Sequence, residues 1–217
     1  MKVIERIKSN PLLKRVALWM LQDTYRPRPR FWVKIFWNKL VHVRGRKSLI
    51  SKNTRMDVFP YNAFVLGDYS TVEDFSCVNN AMGAVIVGSK SRIGIGSTII
   101  GPVTIGDNVN MAQNIVVSGL NHGYQDIMIP PREQKCSTAE ISIGNDCWIG
   151  ANVVITAGVS IGRHCVIAGG AVVTKSIPSF SVAVGNPARV VKYYDFEKEK
   201  WCAKNDKLKI QNYGKTA

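Results

Sequence analysis

The sequence has no apolar run approaching the ~20 residues of a membrane-spanning helix, no Cys-x-x-Cys pair, and only three histidines among its 217 residues. The longest apolar stretches near the start, VALWML and FWVKIFW, are short, and Lys14 and Arg15 break the one region that could form a cleavable leader. Neither a secreted nor an integral membrane protein is expected. Five cysteines, an odd count without paired spacing, argue against a disulfide framework or a zinc knuckle and for a reducing cytoplasm. Acidic residues are nearly missing from the first 48 positions, where 13 Lys and Arg face only Glu5 and Asp23. That segment holds a net +11 of the chain's +14, so the basicity is local. With no nucleic-acid motif present, nucleic acid is not an expected partner.

What the sequence does have is a strict repeat. Aliphatic residues recur every six positions at Val87, Ile93, Ile99, Ile105, Met111 and Val117, and again from Ile143 through Ile149, Ile155, Ile161 and Ile167 to Val173. A shorter run is Leu66, Val72, Val78. Four residues after these positions stand small or β-branched side chains such as Ser70, Ser91, Val109, Val153 and Ala171, and a glycine often follows the aliphatic residue directly. Period six fits neither an amphipathic helix nor an alternating strand. It fits a prism with short strands as flat sides, three sides making an 18-residue coil and successive coils stacking about 4.8 Å apart. Cys147 and Cys165, 18 apart, should then be stacked neighbours in the small-residue column, acting as small hydrophobes.

The register breaks between Val117 and Ile143, where a polar stretch with Pro130-Pro131 should leave the prism as a loop. It carries His122. His42 lies in the basic segment and His164 at an outward turn position of a regular coil, so His122 alone sits in the one long interruption of the repeat. An imidazole with pKa near 6.5 is largely neutral at pH 7 and suits proton removal from a hydroxyl. A backbone carbonyl or Asn121 are candidates to orient it. The glycines from Gly96 to Gly101 have phosphate-loop spacing, but Pro102 follows where Lys is needed.

The repeats, the loop LNHGYQD, the coil DCWIGANVVI and the closing VVTKSIP and AVGNPARVVK resemble the hexapeptide-repeat acyltransferases over roughly residues 48–193. Among these the resemblance is greatest to sugar O-acetyltransferases of surface-polysaccharide gene clusters. It implies an all-β, left-handed parallel β-helix assembled as a homotrimer, with acetyl-CoA as co-substrate in the groove between neighbouring prisms and no metal. By this resemblance His122 is the catalytic base of a direct transfer, with no covalent acyl-enzyme and no catalytic cysteine. Trp148 matches a residue near the acceptor and the pantetheine arm, or a subunit-contact aromatic. Ala151 and Gly169 match the pantetheine channel, and Thr174 and Lys175 match coenzyme contacts. Arg189 and Lys192 flank the exit toward the coenzyme phosphates. Asn121 and Tyr124 of the loop, with Asn79 and Asn80 of an earlier coil, are candidates to bind a sugar or lipid-linked sugar, in capsule or O-antigen synthesis. A serine or antibiotic acetyltransferase is the main alternative. A zinc carbonic anhydrase would need three converging histidines, and only His122 and His164 lie in the repeats. A non-catalytic scaffold would not need His122, Lys175 and Arg189.

The expected organisation is a basic helical segment (1–47), the β-helix domain (48–193) with a catalytic loop at about 118–140, and a polar tail (194–217) with a short helix. Asn10-Pro11 reads as a helix start, with Leu12, Val16, Trp19 and Met20 on one face. A second helix is expected to run to Gly45, with Trp32, Ile35, Phe36 and Val43 on one side and Lys34, Asn38 and His42 on the other. Two readings stand: the segment lies on an anionic membrane surface, or it caps the end of the prism.

Overall fold

The computed structural model describes residues 9–23, 26 and 28–204. Within them the six-residue period becomes a three-sided parallel β-helix. Strands of the first side run from Val43–Arg44 through Phe64–Leu66, Val85–Val87, Val103–Ile105 and Ile141–Ile143 to Ser160–Ile161. The third side runs from Arg55–Asp57 through Cys77–Asn79, Thr98–Ile100, Val116–Ser118 and Val154–Ile155 to Val172–Val173. The second side lies between them in each coil. It starts at Leu49–Ile50, includes Trp148–Ile149 and Val166–Ile167, and reaches Ser181–Val184. Pairing is parallel and in register, Val103 opposite both Val85 and Ile141, Val116 opposite both Thr98 and Val154.

Every residue of the six-spaced column, from Leu66 to Val173, is at most 2% exposed, so stacked Ile and Val side chains are the core. The small-residue column works differently. The Ser70 hydroxyl donates to the Gly88 carbonyl (2.6 Å) and accepts from the Ser91 N–H (2.9 Å), and Ser91 repeats this with Gly106 and Val109. Each buried hydroxyl satisfies a carbonyl and an amide that the tight turn leaves unpaired. Cys147 and Cys165 continue the column one coil apart, both free. The Cys147 thiol takes the serine's place, donating to the Gly162 carbonyl (3.1 Å) and accepting from the Cys165 N–H (3.4 Å). The neighbouring Cys165 and burial push the Cys147 thiol well up.

Corners hold residues at positive φ, among them Asn108, Asn114, Asp146, Asn152 and His164. Short polar side chains tolerate that left-handed conformation best. Gly94 is needed for closeness instead: a Cβ there would overlap the Ala112 carbonyl of the next coil. Gly94→Ala should destabilise the protein by about 3 kcal/mol, the upper range for overpacking against backbone, read from urea denaturation midpoints.

The basic segment divides in two. Helix α1 (Pro11–Leu21) begins where Asn10 accepts hydrogen bonds from the Leu12 and Leu13 N–H groups, and none of its residues is buried. The second helix is shorter than expected. A π-helical turn (Val33–Trp37) continues into Asn38–Val41, and Val43 lies in the first strand instead, paired with Val65. This piece covers the start of the prism. Val33 is fully buried, the Asn38 amide donates to the Val58 carbonyl, and the His42 ring meets Phe64 edge-on at 5.9 Å. Asp57, wholly buried, is paired with Arg55 at 2.6 Å and has Arg28 at 4.0 Å.

Neither ring nitrogen of His42 has a hydrogen-bond partner, and burial lowers its pKa. The folded state therefore favours the neutral ring, and the unfolded chain binds a proton more readily. Stability is unaffected well above pH 6.5 and falls as pH drops below it. Denaturation midpoints measured between pH 7 and pH 5 should decline, and His42→Phe should flatten that decline. The Glu73–Arg92 ion pair, which lowers the Glu73 pKa, acts at more acid pH.

At the other end the described part of the tail is mostly strand, and the expected short helix falls on residues that lie almost wholly outside the described ones. The chain reverses after Val184 and adds two antiparallel strands to the second side, Arg189–Asp195 and Lys200–Ala203. An edge-to-face cluster of Phe180, Tyr194, Phe196 and Trp201 holds them. β-Branched and aromatic residues favour the pleated form here. Residues 1–8 of the basic segment and 205–217 of the tail lie outside the described residues.

Candidate active site

The long insertion leaves the prism at the corner between third and first sides, after Val116–Ser118, and re-enters at Ile141–Ile143. Its two arms pair as an antiparallel ladder, Leu120 with Thr138 and Asn121 with Ser137. Continuing that register by one residue sets His122 opposite Cys136, and the Cys136 Sγ lies 3.4 Å from His122 Nδ1. One step further, Gly123 is buried where a Cβ would crowd the Lys135 carbonyl at 2.8 Å, so glycine lets the arms close. The Gln134 amide donates to the Asp126 and Ile129 carbonyls, both at 2.7 Å, and accepts from the Asp126 N–H. His122 thus stands exposed on a braced hairpin. An Nδ1 engaged by sulfur leaves Nε2 open to a substrate proton.

The side chain that meets the imidazole is neither Asn121 nor a backbone carbonyl but Cys136, a residue to which the sequence assigned no part in the site. No spacing rule signals it, because its partner is 14 residues away across a turn. Asn80 is also corrected. It is fully buried, its Oδ1 accepting from the Phe59 N–H (2.6 Å) and its Nδ2 donating to the Phe59 and Asn62 carbonyls (3.0 and 2.7 Å). It braces the coil and, wholly buried, is out of reach of a sugar. Asn79 is half-buried, at the same corner as the loop and two coils before it. Asn121 and Tyr124 are exposed on the hairpin.

The remaining candidates fall on two corners. Thr174 and Lys175 follow Val172–Val173 at the loop's own corner, two coils or about 10 Å beyond it. Ala151 and Gly169 are stacked on the corner between second and third sides, where the Gly170 N–H donates to the Ala151 carbonyl (2.8 Å). Arg189 joins that edge through its pairing with Val184. The two edges stand one prism side apart, roughly 20 Å of extended chain. Trp148, 55% exposed, and Lys192 lie elsewhere again. They line a cavity of about 470 Å³ on the second side with Asp146, His164 and Trp201. One prism therefore does not bring all of these residues together.

Two family models match the chain, one for the bacterial transferase hexapeptide (six repeats) over residues 140–175 and one for the hexapeptide repeat of succinyl-transferase over 84–118. The chain thus carries the hexapeptide repeats that these transferase families share. Over 129 residues it is 33% identical to a Mycobacterium tuberculosis protein named as an acetyltransferase, covering 58% of this chain and 43% of that one. Over 106 residues it is 34% identical to an Escherichia coli protein named for O-acetyl transfer in lipopolysaccharide biosynthesis, covering 46% and 54%. The chain thus spans about half the length of these relatives. Among solved structures it is similar to a maltose O-acetyltransferase from Clostridium difficile, with a TM-score of 0.51, 28% identity and 72% of each chain covered.

Proposed function

We propose that this protein moves an acetyl group from acetyl-CoA to a sugar hydroxyl, in the making of a capsule or O-antigen polysaccharide. The observation that carries the reading is the His122 imidazole, held at Nδ1 by Cys136 and open at Nε2, on the hairpin that interrupts the repeat. Relatives named for O-acetyl transfer to saccharides support the acceptor class.

In this mechanism Nε2 removes the hydroxyl proton as the sugar oxygen attacks the thioester carbonyl. The tetrahedral adduct collapses, the C–S bond breaks, and the imidazolium returns the proton to the leaving thiolate. No acyl-enzyme forms. Lys175 and Arg189 meet the coenzyme's phosphates, Ala151 and Gly169 admit the pantetheine arm closely, and Asn79, Asn121 and Tyr124 offer hydrogen bonds to the acceptor. The active form is a homotrimer, because the His122 corner of one copy then faces the Ala151–Gly169 corner of the next. The nearly bare loop tip, with Ile127 and Met128 93% and 84% exposed, has apolar surface for such a neighbour to cover. Five free thiols fit work in the reducing cytoplasm.

Coenzyme A release, followed with nucleotide-linked and lipid-linked sugars as acceptors, tests the proposal. Release that depends on one sugar class is expected. Release with serine or an aminoglycoside but with no sugar would replace the acceptor class.

A further inference from the structure

We propose that helix α1 and the basic segment around it seat the protein on an anionic lipid surface. At 100° per residue, Leu12, Leu13, Val16, Trp19 and Met20 fall within an arc of about 120°. All five are exposed, Leu12 and Trp19 most fully, at 69% and 61%. Helix α1 buries no residue of its own, whereas Val33, Asn38 and His42 cover the start of the prism. Capping and the apolar arc of α1 therefore belong to different pieces of the segment.

Charge identifies the occupant of this arc. Lys14 and Arg15 lie outside it and are exposed, as are Lys34 and Lys39 in the neighbouring helical piece. The two pieces are tied together by Arg30, whose guanidinium lies 5.1 Å over the Trp19 ring and whose Nε donates to the Trp19 and Gln22 carbonyls. Phe36 and Leu40 of the second piece are exposed as well, at 65% and 83%. Cations around an aromatic and aliphatic face fit the interface of a bilayer, with the rings at headgroup depth and the charges on lipid phosphates. A second copy of the same helix would bring like charges together. No helix among the described residues is long and apolar enough to cross a membrane, so the association is peripheral. In the proposed trimer three such helices stand at one end and bind jointly.

The experiment is co-sedimentation of the full chain with vesicles of phosphatidylglycerol and phosphatidylcholine in equal parts, and with phosphatidylcholine alone. The protein should pellet with the anionic vesicles at low salt and be released at high salt. Lys14→Glu with Arg15→Glu should weaken vesicle binding at least about tenfold. Trp19→Asp with Met20→Asp should abolish it, while the mass by light scattering stays that of the wild type. No binding to anionic vesicles, or equal binding to neutral ones, overturns the proposal. So does a change of mass in the Trp19→Asp/Met20→Asp variant, which would mean that another copy of the chain covers this face. None of these readouts depends on acetyl transfer, so the two proposals fail separately.

Discussion

His122→Ala should lower acetyl transfer by at least ~10²-fold, the usual scale for losing a general base, with little change in stability. The side chain is exposed and contributes nothing to the stacked core. Its one side-chain partner is Cys136, so removing the ring leaves a half-buried thiol and no buried orphan. kcat should carry the loss, because deprotonation matters in the transition state and not in acceptor binding. Cys136→Ala keeps the base but frees the ring to rotate, so a smaller fall is expected. A Cys136→Ala variant that falls as far as His122→Ala would give the thiol a chemical part and call for a covalent route. The measurement is single-variant turnover with coenzyme A release as readout.

The second large effect comes from mixing two inactive chains. Gly169→Trp should block the pantetheine edge without unfolding the coil, since Gly169 is exposed and a Cβ there meets only the Ala151 backbone, whose oxygen at 3.2 Å has to give by a few tenths of an ångström. His122→Ala should inactivate the other edge. If each site joins the His122 corner of one copy to the Gly169 corner of the next, mixed trimers contain some sites with neither lesion. Random assembly from equal amounts should restore about a quarter of wild-type activity, because both partners of a site must be the right one of two. Co-expressed, co-purified variants provide the measurement. A site contained within one copy would give no recovery at all.

Much of this was legible because the repeat is enforced by packing. A prism core admits one aliphatic residue per side, so Ile99, Ile105 and their fellows could occupy nothing but that column, and a break in the spacing had to be a loop. His122 stood out for the same reason. Cys147 and Cys165 were readable from their 18-residue separation, which is one coil. What could not be read depends on pairing rather than period. Cys136 meets His122 through the register of an antiparallel ladder, set by the Gly123 and Gln134 contacts inside the insertion. Asn80 looks like any polar turn residue until its amide is seen to hold the backbone of Phe59 and Asn62. The closing strands beyond Val184 have no repeat to announce them. In the basic segment the amphipathic pattern was visible, but its division into one capping piece and one bare helix depends on which side chains find the prism.

The most direct test of the catalytic account is the chemical identity of the product. The purified protein is incubated with acetyl-CoA carrying a labelled acetyl group and a sugar acceptor, and the product is characterised by mass and by treatment with mild alkali. The account predicts a sugar heavier by one acetyl group, held as an alkali-labile ester, formed by wild type and not by His122→Ala. Label in an alkali-stable amide, or on the protein at Cys136 as an intermediate on the way to product, would contradict direct transfer to a hydroxyl with His122 as the base.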